Sequence, residues 1–393
     1  MDTKAFKTKS EIIERNMPRI NGNNQYKATT IIGLDGGYSS NKGVSPNRIF
    51  TVPSYAKKAP ADLEIVGKIR NTDIQFKNNL TGEVWLVGQS AETLMDQSDI
   101  DSTTDASLFT RYRYNSETYK VIMLTGMALG LWGTPPGNEI FLQTGLPATY
   151  KERDEAKLIE ALAGDHDIAI KVGNKDWTSF KFSLDTDHIS VMEQPQGTLC
   201  SIAYTNNGET SDIGKEILTS ATIILDIGFY TEDIYAIKAG YKNNHNTYSD
   251  TAMKAVLEGV IKRIQEKYPT DVKVFELQKY LEDGKIPYFD PDEFKTYQIE
   301  FGDILDEVNR ELCEKSIRRL MQEYSNLTDY KYLVVTGGTG ESRFKQIKEM
   351  LSGLSHLTVI PGNYNDPDLS FSYSNVLGYY RFRLAKKMKE MKN

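Results

Sequence analysis

Two short segments of this 393-residue chain carry the same chemistry-bearing pattern. "IIGLDGGYSS" (31–40) and "TIILDIGFYT" (222–231) each run from apolar residues into Leu-Asp. A glycine follows two residues after the aspartate, then an aromatic, then a hydroxyl two further on. A tight turn between strands needs glycine where φ is positive. Such a turn also points several backbone N–H groups one way, which makes an anion-binding concavity. Gly36, Gly37, Tyr38, Ser39 and Ser40 in the first turn, and Gly228, Phe229, Tyr230 and Thr231 in the second, are therefore candidate phosphate binders. Ser39, Ser40 and Thr231 add hydroxyl donors, and Lys42 is placed to reach a β- or γ-phosphate. Asp35 and Asp226, at strand ends, are candidates to hold magnesium through water, since that ion keeps several waters and takes few direct protein ligands. A single hairpin of this kind is commonly only a turn, with aspartate chosen for turn chemistry. Two matching copies, each behind a buried-type strand, argue for function.

Two further segments carry weaker chemistry. "VVTGGTGES" is neither a Walker A loop nor a dinucleotide fingerprint, because it lacks Gly-Lys-Ser/Thr and the third spaced glycine. Its strand–Gly337-Gly338-Thr339-Gly340–helix turn still lets backbone approach a ligand closely. "HISVMEQPQG" places Glu193 and Gln194 at a strand end, and phosphoryl transfer to water needs a residue of either type to orient the attacking water. The histidines His166, His188, His245 and His356 show no ligand spacing.

Composition bounds the reading. Nearly four hundred residues predict two domains. A formal net charge of -7 argues against direct nucleic-acid binding, which needs clustered Lys and Arg. Cys200 and Cys313 form no metal spacing and fit a reducing compartment. No apolar run reaches the roughly 20 residues of a membrane span, and no signal-peptide core is present, so a soluble cytoplasmic protein is expected.

The elements that must position these residues follow from periodicity. Residues 1–27 read as a polar N-terminal arm, with a short helix around Ile12 and Ile13. "ATTIIGLD", "NRIFTVPSYA", "EVWLVGQSA", "EIFLQTGLPATY" and "HISVMEQPQG" read as strands. "SETYKVIMLTGMALGLW" reads as a helix with Tyr119, Ile122, Met123 and Met127 near one face, and "KERDEAKLIEALAG" as a helix ending at Gly164. In the second half, "ATIILDIGFYTEDIYAIKAG" is a hairpin turning near Gly228. Met253, Val256, Leu257, Val260, Ile261 and Ile264 fall on one helical face. "DILDEVNRELCEKSIRRLMQEY" is a second long helix, followed by "KYLVVTGGTGESRFKQIKEML" as strand, glycine turn and helix. The alternation argues α/β class. A self-similarity at a spacing of 191 residues is too long for a solenoid and predicts two like domains, each opening with the same hairpin.

Together these motifs resemble the actin-like ATPase superfamily of actin, Hsp70 chaperones and sugar kinases. "RIFTVPSYA", "WLVGQSA", "LQTGLPATY" and "VMEQPQGTL", in that order, resemble the ParM-like plasmid-segregation actins. So does "NDPDLSFSYSNVLGYYRF", with Asn375, Gly378 and Tyr379. The resemblance implies a two-domain actin-like (ribonuclease H-like) fold with nucleotide in the interdomain cleft. Domain I would take 28–215 plus 365–393, and domain II 216–364. It implies that Asp35-Gly36-Gly37 and Asp226-Ile227-Gly228 are the paired phosphate hairpins and that Lys42 is a phosphate-contacting lysine. It further implies that Gly337–Gly340 form the adenosine loop and that Glu193 or Gln194 is catalytic, the choice between them staying open. The implied function is a polymerising bacterial actin, an Mg-dependent ATPase or GTPase that segregates plasmid DNA through a DNA-binding adaptor protein. Filaments of the chain itself would form with nucleotide and fall apart on hydrolysis, with no direct nucleic-acid or membrane contact. The alternatives are a small-molecule kinase of the same superfamily and a bacterial cytoskeletal or division actin.

Overall fold

The computed structural model describes residues 3–22, 27–96, 99–100, 113–114 and 116–392, so parts of the N-terminal arm lie outside the described residues. The chain forms two compact units. The larger comprises 8–216, 365–369 and 373–393; the smaller comprises 1–7, 217–364 and 370–372.

A six-stranded sheet organises the larger unit. Its order is β1 (Glu11–Glu14), β4 (Arg48–Pro53), β3 (Ser40–Val44), β2 (Thr29–Gly36), β8 (Glu139–Leu146) and β11 (Ile189–Glu193). The pairings are antiparallel from β1 to β2 and parallel across β2, β8 and β11. The helix expected at Ile12 and Ile13 is instead strand β1, with Ile12 opposite Phe50 and Ile13 opposite Ile49. Paired β-branched residues suit a pleated surface better than an isolated turn of helix. A second, antiparallel sheet has the order β10 (Thr178–Leu184), β9 (Gly164–Val172), β6 (Ile74–Asn78), β7 (Val84–Val87) and β5 (Ala56–Lys58).

Strand β2 is buried throughout because helices cover both its faces. Side chains alternate along a strand. Ile32 and Leu34 meet Gly130 and Gly126 of α2 (Glu117–Leu131), whereas Gly33 meets the backbone of the C-terminal helix. Helix α2 is buried nearly all round rather than on one face, which accounts for its weak amphipathic pattern. The remaining helices of this unit are α1 (Gln89–Leu94), α3 (Lys151–Leu162) and α4 (Gln194–Ala203), and α5 (Asp212–Thr219) runs across the boundary at 216.

The smaller unit has a five-stranded sheet ordered β14 (Tyr241–Tyr248), β13 (Glu232–Lys238), β12 (Thr222–Ile227), β17 (Tyr332–Thr336) and β18 (Thr358–Pro361). Its helices are α6 (Met253–Gln265), α7 (Val274–Lys279), α8 (Gly302–Glu323) and α9 (Gly338–Met350). The six α6 residues placed on one face by periodicity are its buried residues. A separate two-stranded hairpin joins β15 (Lys285–Asp290) to β16 (Lys295–Glu300). Thr3 docks the extreme N-terminal segment on this unit, its hydroxyl donating to the Leu281 carbonyl at 2.7 Å.

The returning helix α10 (Ser374–Glu390) packs on α4 in the larger unit. A Cβ at Gly378 would lie 1.7 Å from the Gly197 carbonyl oxygen, and one at Gly197 would lie 2.7 Å from the Asn375 carbonyl oxygen. Backbone therefore touches backbone at this crossing, which no larger residue permits. Asn375 accepts from the Thr198 hydroxyl at 2.7 Å and its N–H at 3.2 Å.

Both cysteines are buried and reduced. Burial pushes the Cys200 thiol up to about 12 and the Cys313 thiol up to about 11. Both are therefore expected to resist a thiol reagent such as 5,5′-dithiobis(2-nitrobenzoate) in the folded protein and to react fully after unfolding. Prompt reaction of either in native buffer would contradict this packing.

Candidate functional site

In the larger unit, β2 ends at Gly36 and β3 begins at Ser40, so the first turn spans 37–39. Asp35 stands opposite Lys42 in the ladder, and Lys42 Nζ lies 3.1 Å from Asp35 Oδ2. The parallel order β2–β8–β11 brings the C-terminal ends of these strands side by side. Gln194, the first residue of α4, donates from Nε2 to Asp35 Oδ1 at 2.8 Å. Glu193 ends β11, is buried, and is the N-cap residue of α4; Pro195 opens that helix, where its missing N–H costs nothing. The structure thus gathers Asp35, Lys42 and Gln194 into one polar cluster. Asp35 keeps further oxygen lone pairs beyond those two partners, and a carboxylate of this kind suits water-mediated magnesium.

Sequence reasoning missed two supports of this turn. Ser54 donates its hydroxyl to the Gly37 carbonyl at 2.7 Å. Arg113, buried, donates to the Gly36 carbonyl, and its guanidinium lies 3.7 Å from the centre of the Tyr38 ring. Tyr119 flanks the same guanidinium at 5.1 Å. The only sequence signal was an arginine between tyrosines in "RYRY", which no spacing rule singles out.

In the smaller unit, β12 ends at Ile227 and β13 begins at Glu232, so the second turn spans 228–231 and closes with Gly228 N–H donating to the Thr231 carbonyl at 2.8 Å. The register matches the first hairpin: Asp226 stands opposite Asp233, as Asp35 does opposite Lys42. The partner differs in charge. The first hairpin pairs carboxylate with ammonium, and the second sets two buried aspartates side by side. Thr247 donates its hydroxyl to Asp233 at 2.5 Å. Lys254 approaches the second turn from α6, with Nζ 5.2 Å from the Tyr230 ring centre and its N–H donating to the Phe229 carbonyl at 2.8 Å. Asp233 and Lys254 were not singled out from the sequence, because their placement follows from register and helix docking.

The Gly337–Gly340 turn joins this hairpin. Strand β17 runs parallel to β12 with Thr336 beside Asp226. Gly337 has φ +82, and a Cβ there would lie 2.3 Å from the Ile227 carbonyl oxygen and 2.6 Å from Asp226 Oδ1, so only glycine fits. Gly338 opens α9, and Thr339 donates its hydroxyl to the Gly228 carbonyl at 2.9 Å. Below the turn, Arg343 is buried and donates to Asn309 at 2.8 Å and to the Thr251 carbonyl at 2.7 Å. Burial pushes the Glu232 carboxyl above its ordinary range, against the pull of the Ser316 and Thr251 hydroxyls and of Arg343.

Among the described residues, Asp185, Asp187 and His188 also form a group with metal-ligand types, but they lie at the opposite end of β11 from Glu193 and two of the three are exposed. Nor, among the described residues, is any helix long and apolar enough to cross a membrane.

Comparison with known proteins agrees with the fold. The family described as actin-like proteins, N-terminal domain, matches residues 33–197. No curated protein sequence matches the chain. Among solved structures, the pCBH ParM non-polymerisable quadruple mutant is 19% identical with a TM-score of 0.69, covering 91% of this chain and 99% of that one. A subunit of a 15-stranded ParM filament from Clostridium botulinum is 19% identical with a TM-score of 0.66, at 91% and 99% coverage. The archaeal actin homologue Ta0583 in complex with ADP is 15% identical with a TM-score of 0.59, at 91% and 100% coverage. The chain is therefore built on the actin-like fold, which it shares with these ParM structures, and its residues 33–197 are similar to the actin-like N-terminal domain.

Proposed function

We propose that this chain is a nucleotide-dependent polymerising actin. It takes ATP or GTP with magnesium, forms filaments of its own copies, and loses them on hydrolysis. Its cargo is plasmid DNA, held through a separate DNA-binding adaptor. The observation that carries the reading is the pair of hairpins in one register, Asp35 opposite Lys42 and Asp226 opposite Asp233, in a fold shared with a ParM filament subunit. The turns at 37–39 and 228–231 supply backbone N–H groups to phosphate oxygens, with Lys42 as the added cation. Gly337–Gly340 approach the adenosine. Asp35 and Asp226 would each be candidates to hold magnesium through water, and the ion would offset the charge of the phosphates. Gln194 is fixed through its amide nitrogen by Asp35, which leaves its oxygen to accept a hydrogen bond from the attacking water and so orient it. Glu193 adjoins it as the stronger base. The net charge of -7 fits a division of labour in which another protein touches DNA.

Assembly should complete the site by holding the domains in one orientation. Phosphate release per subunit is therefore expected to rise sharply above a critical protein concentration. Light scattering should appear at that same concentration and decay as nucleotide is consumed. The measurement is a protein titration with magnesium-ATP and magnesium-GTP in separate series. Turnover linear in protein, without scattering under either nucleotide, would overturn the filament reading and favour a small-molecule kinase.

A further inference from the structure

The β15–β16 hairpin is built unlike the rest of the smaller unit. Ile286 and Ile299, a cross-strand pair at its base, join the core, and Tyr288 packs against it, partly buried. Its outer half carries Phe289, 55% exposed, and Phe294, 82% exposed, packed edge-to-face with ring centres 6.3 Å apart. Tyr297, opposite Tyr288 on the other face of the hairpin from Phe289, is also exposed, its hydroxyl donating to Glu293 at 2.6 Å. A two-stranded hairpin gains little stability from aromatics left in water. Phe294 also sits at φ +51, a left-handed position that favours glycine or asparagine and strains a bulky side chain. Local stability explains neither the residue type nor its exposure; a partner surface explains both.

Charge selects the partner. Lys295 neutralises Glu293 at 3.0 Å, while among the described residues Asp290 and Asp292 have no ion pair, which leaves the tip acidic and aromatic. The end of α10 is its complement. Lys386 and Lys389 are exposed at an i, i+3 spacing with Lys392 three residues further on, Met388 is exposed on the flank of this row four residues before Lys392, and among the described residues none of the three lysines has an ion pair. We propose that the β15–β16 hairpin of one copy docks on the lysine-and-methionine end of α10 in another copy, as a contact within the polymer. This rests on the polymerising reading above. Phe294 supplies the apolar anchor against Met388 and the lysine stems, and Asp292 faces the ammonium groups.

The test measures critical concentration by light scattering with magnesium-ATP and magnesium-GTP for the parent, Phe294→Gly, Lys386→Glu/Lys389→Glu, and that double variant with Asp292→Lys added. Circular dichroism confirms that each is folded. Phe294→Gly and the double lysine variant are each expected to raise the critical concentration about fivefold or more, and Asp292→Lys to restore at least half of the loss on the lysine background. Phe294→Cys mixed with Met388→Cys should form a disulfide-linked dimer under copper-phenanthroline oxidation only when nucleotide is present, because Cys200 and Cys313 are buried. A parent that assembles while Phe294→Gly assembles equally well overturns the contact and leaves the filament reading standing. Impairment without charge-swap rescue or cross-link places the hairpin in a different contact between copies and overturns the pairing. A parent that never assembles overturns the filament reading itself, and the contact falls with it.

Discussion

Asp226→Ala is expected to lower nucleotide turnover by roughly a hundredfold to a thousandfold while leaving the protein folded. The carboxylate ends β12, stands beside Asp233 across the hairpin, and lies against the Gly337 turn. Its removal takes away one of the two carboxylates proposed to hold magnesium through water. Stability should change little, because the substitution also removes a like charge from a buried acidic pair. The checks are phosphate release at saturating magnesium nucleotide and the thermal midpoint. A variant with parental turnover would sink the metal assignment, and a large drop in midpoint would make Asp226 a structural residue instead.

Gln194→Ala should separate binding from chemistry. A group that orients the attacking water acts mainly in the transition state, so its loss slows hydrolysis and spares nucleotide affinity. A fall of roughly a hundredfold in turnover is expected, with filaments that form at the parental critical concentration and then persist. Glu193→Ala is the necessary comparison. Glu193 is the residue that ends β11, and Gln194 is the one that reaches Asp35. At least one of the two variants must show long-lived filaments. If both hydrolyse and disassemble like the parent, this strand end is not catalytic.

Local rules made much of the fold legible in the sequence. The two hairpins announced themselves because a buried strand followed by Asp-x-Gly is a short-range pattern, and β2 and β12 are buried along their whole length. Helix α6 was legible because its six core residues keep a helical period. Long-range pairing hid the rest. Ile12 and Ile13 read as helix because nothing nearby reveals that β4 is waiting for an edge partner. Asp233 is an ordinary strand residue until register sets it opposite Asp226. Arg113 matters through a bond to a carbonyl 77 residues away. The helical face of α2 was overstated, since burial on all sides erases amphipathic contrast.

The crossing of α4 and α10 has a consequence for genetics. At Gly378 the obstructing atom is a carbonyl oxygen of Gly197, and at Gly197 one obstructing atom is a carbonyl oxygen of Asn375. A clash with a side chain can be relieved by shortening that side chain elsewhere in the gene. A clash with backbone cannot, because every amino acid has the same backbone. Revertants of a Gly378→Ala allele should therefore be true back-mutations, whereas suppressors of Gly43→Ala, whose obstruction is the Phe50 ring, have a side chain to shrink.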